Sequence, residues 1–166
     1  MSADEEPSIE SAPFDLGAPI AIGDRVIEHS FPEDIRLDGS LDAAARRQPE
    51  LFANYGMLAV EARHRERQLK LEYDRVVAGV EHELRERITS LAPAAAKAGA
   101  SVKAPRVSAA QLKAAAQTDE RVRRKEAVYL AAVREADKLT MFEEALRQRA
   151  AALTILDGER RRRETR

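Results

Sequence analysis

Apolar side chains recur at Leu51, Tyr55, Leu58, Ala62, Leu69, Tyr73, Val76, Val80, Leu84, Ile88 and Leu91, in gaps of three and four with a single gap of seven. That spacing draws one stripe along a helix and predicts a helix over residues 50–91, about 63 Å long. A second stripe, Val122, Tyr129, Ala132, Val133, Ala136, Leu139, Phe142, Leu146, Leu153 and Leu156, predicts a helix over 119–157 of roughly 58 Å, with Gly158 as its C-terminal stop. Two shorter helices are expected. Ser40 caps one over 41–47, which Pro49 ends, and Ser108 with Gln111 forms a capping-box signal for another over 108–116. Between the long helices, residues 92–107 carry Pro93, Gly99 and Pro105 and no stripe, so a linker is expected there. Two long helices of similar length on a flexible connection fold back most simply as an antiparallel hairpin.

Residues 1–34 break this pattern. Pro7, Pro13, Pro19 and Pro32, with Gly17 and Gly23 between them, exclude a helix of useful length. The segment is expected to be a mostly disordered arm, dispensable for folding, in which Ile20, Ile22, Val26 and Ile27 offer a short extended docking segment. The expected fold class is therefore all-α: an acidic arm over 1–34, a helical hairpin domain over 35–158 and a basic tail over 159–166. Ala127, Val128, Leu130, Ala131, Met57, Val60 and Val77 widen the apolar surface beyond one seam, so a homo-oligomer is expected to cover it.

Composition narrows the chemistry. The chain has no cysteine, which excludes disulfides and thiolate chemistry and makes a cytoplasmic setting the default. The N-terminus has neither the basic start nor the apolar stretch of a secretory signal, and no run approaches 18 apolar residues. The reading is a protein neither exported nor membrane-spanning. His29, His64 and His82 are dispersed among charged residues and read as solvated. Without a phosphate loop, a nucleophile setting or a metal-ligand cluster, neither catalysis nor a cofactor is expected. Phe52, Tyr55, Tyr73, Tyr129 and Phe142 lie on or beside the stripes, where packing explains them.

The net charge of −1 conceals a segregation: residues 1–40 hold ten Asp or Glu against Arg25 and Arg36, leaving the remainder at +7. Between Leu84 and Lys125 ten bases meet three acids, and no acid occurs from Arg87 to Thr118. If the helices fold back, this charge gathers at one end and draws a polyanion. The candidate nucleic-acid-binding residues are Lys97, Lys103, Arg106, Lys113, Arg121, Arg123, Arg124 and Lys125. The stretch between Tyr73 and Tyr129 has no aromatic residue to stack on bases, so contact would be with phosphates and independent of sequence. Two further basic features are the spacing Arg63, Arg67, Lys70 on the first long helix and the run Arg160 to Arg163.

The chain also resembles the UvsY family of recombination mediators from tailed phages. The resemblance runs over roughly residues 35–156: Leu41-Asp42-Ala43-Ala44-Ala45-Arg46 leading into Pro49-Glu50-Leu51, then Tyr55, Glu61, Leu69, Glu72 and Tyr73. It resumes with Leu112, Asp119, Tyr129, Leu139, Ala145-Leu146-Arg147-Gln148-Arg149 and Leu153. It implies a small helical protein, not an enzyme, that forms a ring-like homo-oligomer, binds single-stranded DNA and helps load a recombinase onto DNA occupied by a single-stranded DNA-binding protein. A phage origin would place it in the host cell cytoplasm. The alternative is a coiled-coil structural or scaffold protein of a phage particle.

Overall fold

The computed structural model describes residues 17–37, 39–97 and 107–165, with side chains over 91–97 excepted. The elements run β1 (Ile20–Ile22), β2 (Arg25–Ile27), α1 (Phe31–Asp34), α2 (Leu41–Lys97), α3 (Ala109–Gln117) and α4 (Glu120–Glu164). The chain is mostly helical, with one small two-stranded antiparallel sheet that pairs Ile20 with Ile27 and Ile22 with Arg25. Among the described residues no helix is long and apolar enough to cross a membrane.

Two compact units divide the chain: Met1–Tyr55 with Thr140–Arg166, and Gly56–Leu139. Helices α2 and α4 supply a segment to each. Within the first unit these segments run antiparallel, since Asp42 pairs with Arg160 and Tyr55 meets Phe142. Within the second they again run antiparallel, with Glu72 paired to Lys125 and Glu83 to Arg121. Along the stripes, Leu51, Tyr55, Ala62, Leu69, Val80, Val122, Ala136, Leu139, Phe142, Leu146 and Leu153 are buried. Leu58, Tyr73, Val76, Leu84, Ile88, Tyr129, Ala132 and Val133 are half-buried, and Leu156 is exposed.

Residues 17–34 are folded, which corrects the disordered arm over that part of it; residues 1–16 lie outside the described residues. Gly23 takes a positive φ of 62° in the tight turn between β1 and β2, a conformation glycine adopts without the Cβ penalty. The hairpin turns Ile20 and Ile22 inward, where both are buried, and leaves Ala21 exposed. Phe31 is buried and stacks on Phe142 with ring centroids 3.7 Å apart, and Tyr55 meets both rings edge-on. His29 belongs to this cluster rather than to solvent. Its Nε2 lies 2.8 Å from the Ala18 carbonyl, its Nδ1 accepts from the Phe31 amide, and its ring sits against Phe142. His64 and His82 are exposed, beside Gln68 and Glu86.

The helix boundaries differ from the sequence expectation at three places. Pro49 does not end a helix: α2 is continuous from Leu41. Proline lacks the amide that would bond the Ala45 carbonyl and crowds the preceding turn; one position earlier, Arg149 of α4 donates to the Ala44 carbonyl at 3.3 Å. At the other end α2 continues through Pro93 to Lys97, shortening the linker expected over 92–107, of which 98–106 lie outside the described residues. Gly158 does not stop α4, which runs on to Glu164, while Arg160 and Arg161 reach back over the glycine to Asp157 and Arg160 also holds Asp42. The arginines of the last turn suit the negative end of the helix dipole, so most of the expected tail is helical. By contrast, the Ser108 capping box forms as expected: the Ser108 hydroxyl accepts from the Gln111 amide, and the Gln111 side chain accepts from the Ser108 amide.

Truncating a ring buried in this cluster removes contacts that no neighbour replaces. Phe31→Ala should lower the unfolding free energy by about 3–5 kcal/mol, read from urea titration of the circular dichroism signal. A loss below about 1 kcal/mol would show that the N-terminal hairpin does not pack on the helices in solution.

Candidate nucleic-acid interface

The basic end of the Gly56–Leu139 unit is built on three helices. α3 buries Leu112 and Ala116, and Ala116 packs with Val80 and Val122 against Tyr73, Val76, Val77 and Leu84. That apolar seat fixes the turn from α3 into α4. Thr118 closes α3 by donating its amide to the Ala115 carbonyl, and Asp119 opens α4 by accepting from the Arg121 amide at 2.8 Å.

The sequence-predicted site residues distribute unevenly around this turn. Lys103 and Arg106 lie outside the described residues, as does the Lys97 side chain at the end of α2. Lys113 is exposed on α3, and Arg121, Arg123, Arg124 and Lys125 occupy the first turns of α4. Lys113 and Arg123 are exposed and make no ion pair among the described residues, and neither does Arg87 of α2.

The other three cations are engaged. Arg121 holds Glu83 with two bonds of 3.0 and 2.7 Å and also meets Asp119. Lys125 reaches Glu72 at 2.8 Å, and Arg124 bonds Glu120 one turn before it. These contacts bend the carboxyl chemistry in one direction. The bond from Lys125 holds Glu72 below its ordinary value, and bonds from Arg121 do the same for Glu83 and Asp119. Reciprocally, Glu83 and Asp119 hold the Arg121 proton more firmly still.

Sequence reading missed Glu72 and Glu83 as part of the site because both fall outside the basic window, 53 and 38 positions from the cations they meet. Only the pairing of α2 with α4 brings them in. Along α2, Lys70 turns to Asp74 and lies 5.7 Å from the centre of the Tyr129 ring, so the Arg63, Arg67, Lys70 feature is partly built into the helix pair. Among the described residues no group of three or more His, Asp or Glu is placed to hold a metal ion.

No protein-family model matches the chain, and neither the curated proteins nor the solved structures give a match.

The cross-helix pairs predict a pH dependence. Because folding lowers the pKa of Glu72, Glu83 and Asp119, their contribution is complete above the unfolded values of about 4.5, 4.5 and 3.8 and is lost as pH falls through the folded ones. The melting temperature should fall as pH is lowered from about 5 to about 3, less steeply in Glu72→Gln/Glu83→Gln and less steeply in high salt. Superimposable profiles for variant and parent would show that the pairs do not persist in solution.

Proposed function

We propose that this chain is a non-catalytic accessory protein that assembles with copies of itself and binds single-stranded DNA through the basic turn between α3 and α4. In the fuller form of this reading, the protein helps a recombinase load onto DNA held by a single-stranded DNA-binding protein, as its resemblance to the UvsY family implies. One observation carries the DNA-binding step. Arg87, Lys113 and Arg123 are exposed and make no ion pair among the described residues, although Arg87 lies near enough to Glu83 to lower its pKa, in and beside a stretch that has no acid from Arg87 to Thr118. Cations free of partners release counterions on meeting phosphates without first breaking an ion pair. Engaged cations beside them, with their exposed pairs, can exchange a carboxylate for a phosphate.

A second reading, a structural protein of a phage particle, draws on the opposite fact that Arg121, Arg124 and Lys125 already hold carboxylates. The two readings part in a DNA titration. Arg87→Gln/Lys113→Gln/Arg123→Gln should keep its helix content and weaken binding equally for mixed-sequence and oligo-dT strands. The slope of log K against log salt should shrink by roughly 0.7 per cation, about 2 in all. An unchanged slope removes these residues from the site, and no measurable affinity of the parent chain at low salt favours the structural reading.

Assembly is supported by Met57, Val60, Leu71 and Ile155, each more than half exposed although apolar. Light scattering should give a discrete species several times the chain mass of 18.4 kDa, and a monomer at micromolar concentration would end the oligomer reading.

A further inference from the structure

The Gly56–Leu139 unit contains an open cleft of about 420 Å³ between α2 and α4 that DNA binding leaves unexplained. Its floor is apolar: Val76, Gly79 and Val80 from α2 and Val128 from α4. Its rim carries Arg121, Arg124 and Lys125 with Glu83, and the same cations also meet Asp119, Glu120 and Glu72. Gly79 deepens it, since a Cβ placed there would meet nothing within 4 Å. A phosphate backbone would use the rim and leave the floor wet. The matching ligand is an apolar side chain carried between carboxylates, seated on the valines with its charges on the rim.

The chain itself contains such a segment. Residues 1–16 hold Asp4, Glu5, Glu6, Glu10 and Asp15 with no Lys or Arg, and interleave Ile9, Phe14 and Leu16 among them. We propose that this cleft docks residues 1–16 of a second copy of the chain, with Ile9 or Phe14 on the valine floor and the acids on Arg121, Arg124 and Lys125. Exposed ion pairs re-partner at little cost, so the pairs of Arg121 with Glu83 and Asp119, Arg124 with Glu120 and Lys125 with Glu72 do not bar the exchange. The consequence rests on the DNA-binding reading above: the docked segment competes with DNA for the same three cations.

Methyl spectra of the full chain test the docking without any DNA. The Val76, Val80 and Val128 resonances should differ between the parent and Ile9→Asp/Phe14→Asp. Adding unlabelled parent chain to the labelled variant, or a synthetic peptide of residues 1–16, should return them saturably toward the parent positions. Gly79→Leu fills the cleft at a helical position that favours leucine over glycine, and should weaken the peptide response about tenfold or more. Should that variant fold poorly, Val128→Glu, at the half-exposed edge of the valine floor, serves the same purpose. Unmoved valine methyls overturn the proposal. So does an equal response in a folded cleft variant or to a scrambled peptide, and peptide binding without any effect of the parent chain overturns the second copy as donor. With docking established, unchanged DNA affinity on adding the peptide overturns the competition. A chain that binds no DNA at all removes the DNA-binding reading and leaves the docking result standing.

Discussion

Phe31 lies flat on Phe142, and the fold of the Met1–Tyr55 and Thr140–Arg166 unit is organised around that contact. The two rings come from segments more than a hundred positions apart, and Tyr55 and His29 close the cluster from the sides. Burial of the rings supplies most of the free energy, and the ring geometry adds about 0.5–1.5 kcal/mol per pair. Their polar atoms supply direction. The Tyr55 hydroxyl donates to Asp34 at 2.9 Å, and Arg47 meets the other oxygen of the same buried carboxylate. Burial first, and the Asp34 bond second, push the Tyr55 hydroxyl well above its ordinary pKa, which favours the protonated, donating form. A carboxylate with both oxygens satisfied tolerates burial, whereas losing either partner leaves it desolvated and short of a donor.

One turn along, Arg149 repeats the device without a carboxylate. It is buried, bonds the Gln48 side chain and the Ala44 carbonyl, and leaves its Nε without a partner among the described residues. Gln48 in turn donates to the Leu146 carbonyl at 2.8 Å. Desolvation lowers the Arg149 pKa, with nearby Arg47 adding to the effect, so the site bears an electrostatic cost. The Arg149 bonds to Ala44 and Gln48 fit one axial alignment of the two helix segments, whereas apolar stripes alone leave the alignment open by whole turns.

The stripes at residues 50–91 and 119–157 were legible because periodicity is local, and so was the Ser108 capping box. At Pro49 and Gly158 a local stop signal does not end its helix, and each lies near a contact that the local sequence cannot show: Arg149 to Ala44 across 105 positions and Arg160 to Asp42 across 118. His29 was illegible for the same reason, since its neighbours in space are Tyr55 and Phe142. The β1–β2 hairpin did have a local signature. Gly23-Asp24 between Ile20-Ala21-Ile22 and Arg25-Val26-Ile27 is a two-residue turn flanked by short apolar strands, masked by the prolines around it.

The positions behind the family resemblance serve packing and register far more than charge. Leu51, Tyr55, Leu69, Leu112, Leu139, Leu146 and Leu153 are buried, Tyr73 stacks on Tyr129, Asp42 holds Arg160, and Arg149 bonds the Ala44 carbonyl. The resemblance therefore rests on positions of architecture, and the proposed DNA binding rests on the cations themselves. There a count along the chain overstates the field. Ten bases against three acids holds only while Glu72 and Glu83 are left outside, and the helix pairing brings both onto the pole. Once they are included, the pole divides by chemistry: Arg87, Lys113 and Arg123 stay open to phosphate, while Arg121, Arg124 and Lys125 frame an apolar cleft. A phosphate strand has no use for the valine floor, and an acidic segment with apolar residues has use for both floor and rim. The two groups of cations are therefore suited to different anions, and only the rim is open to competition between them.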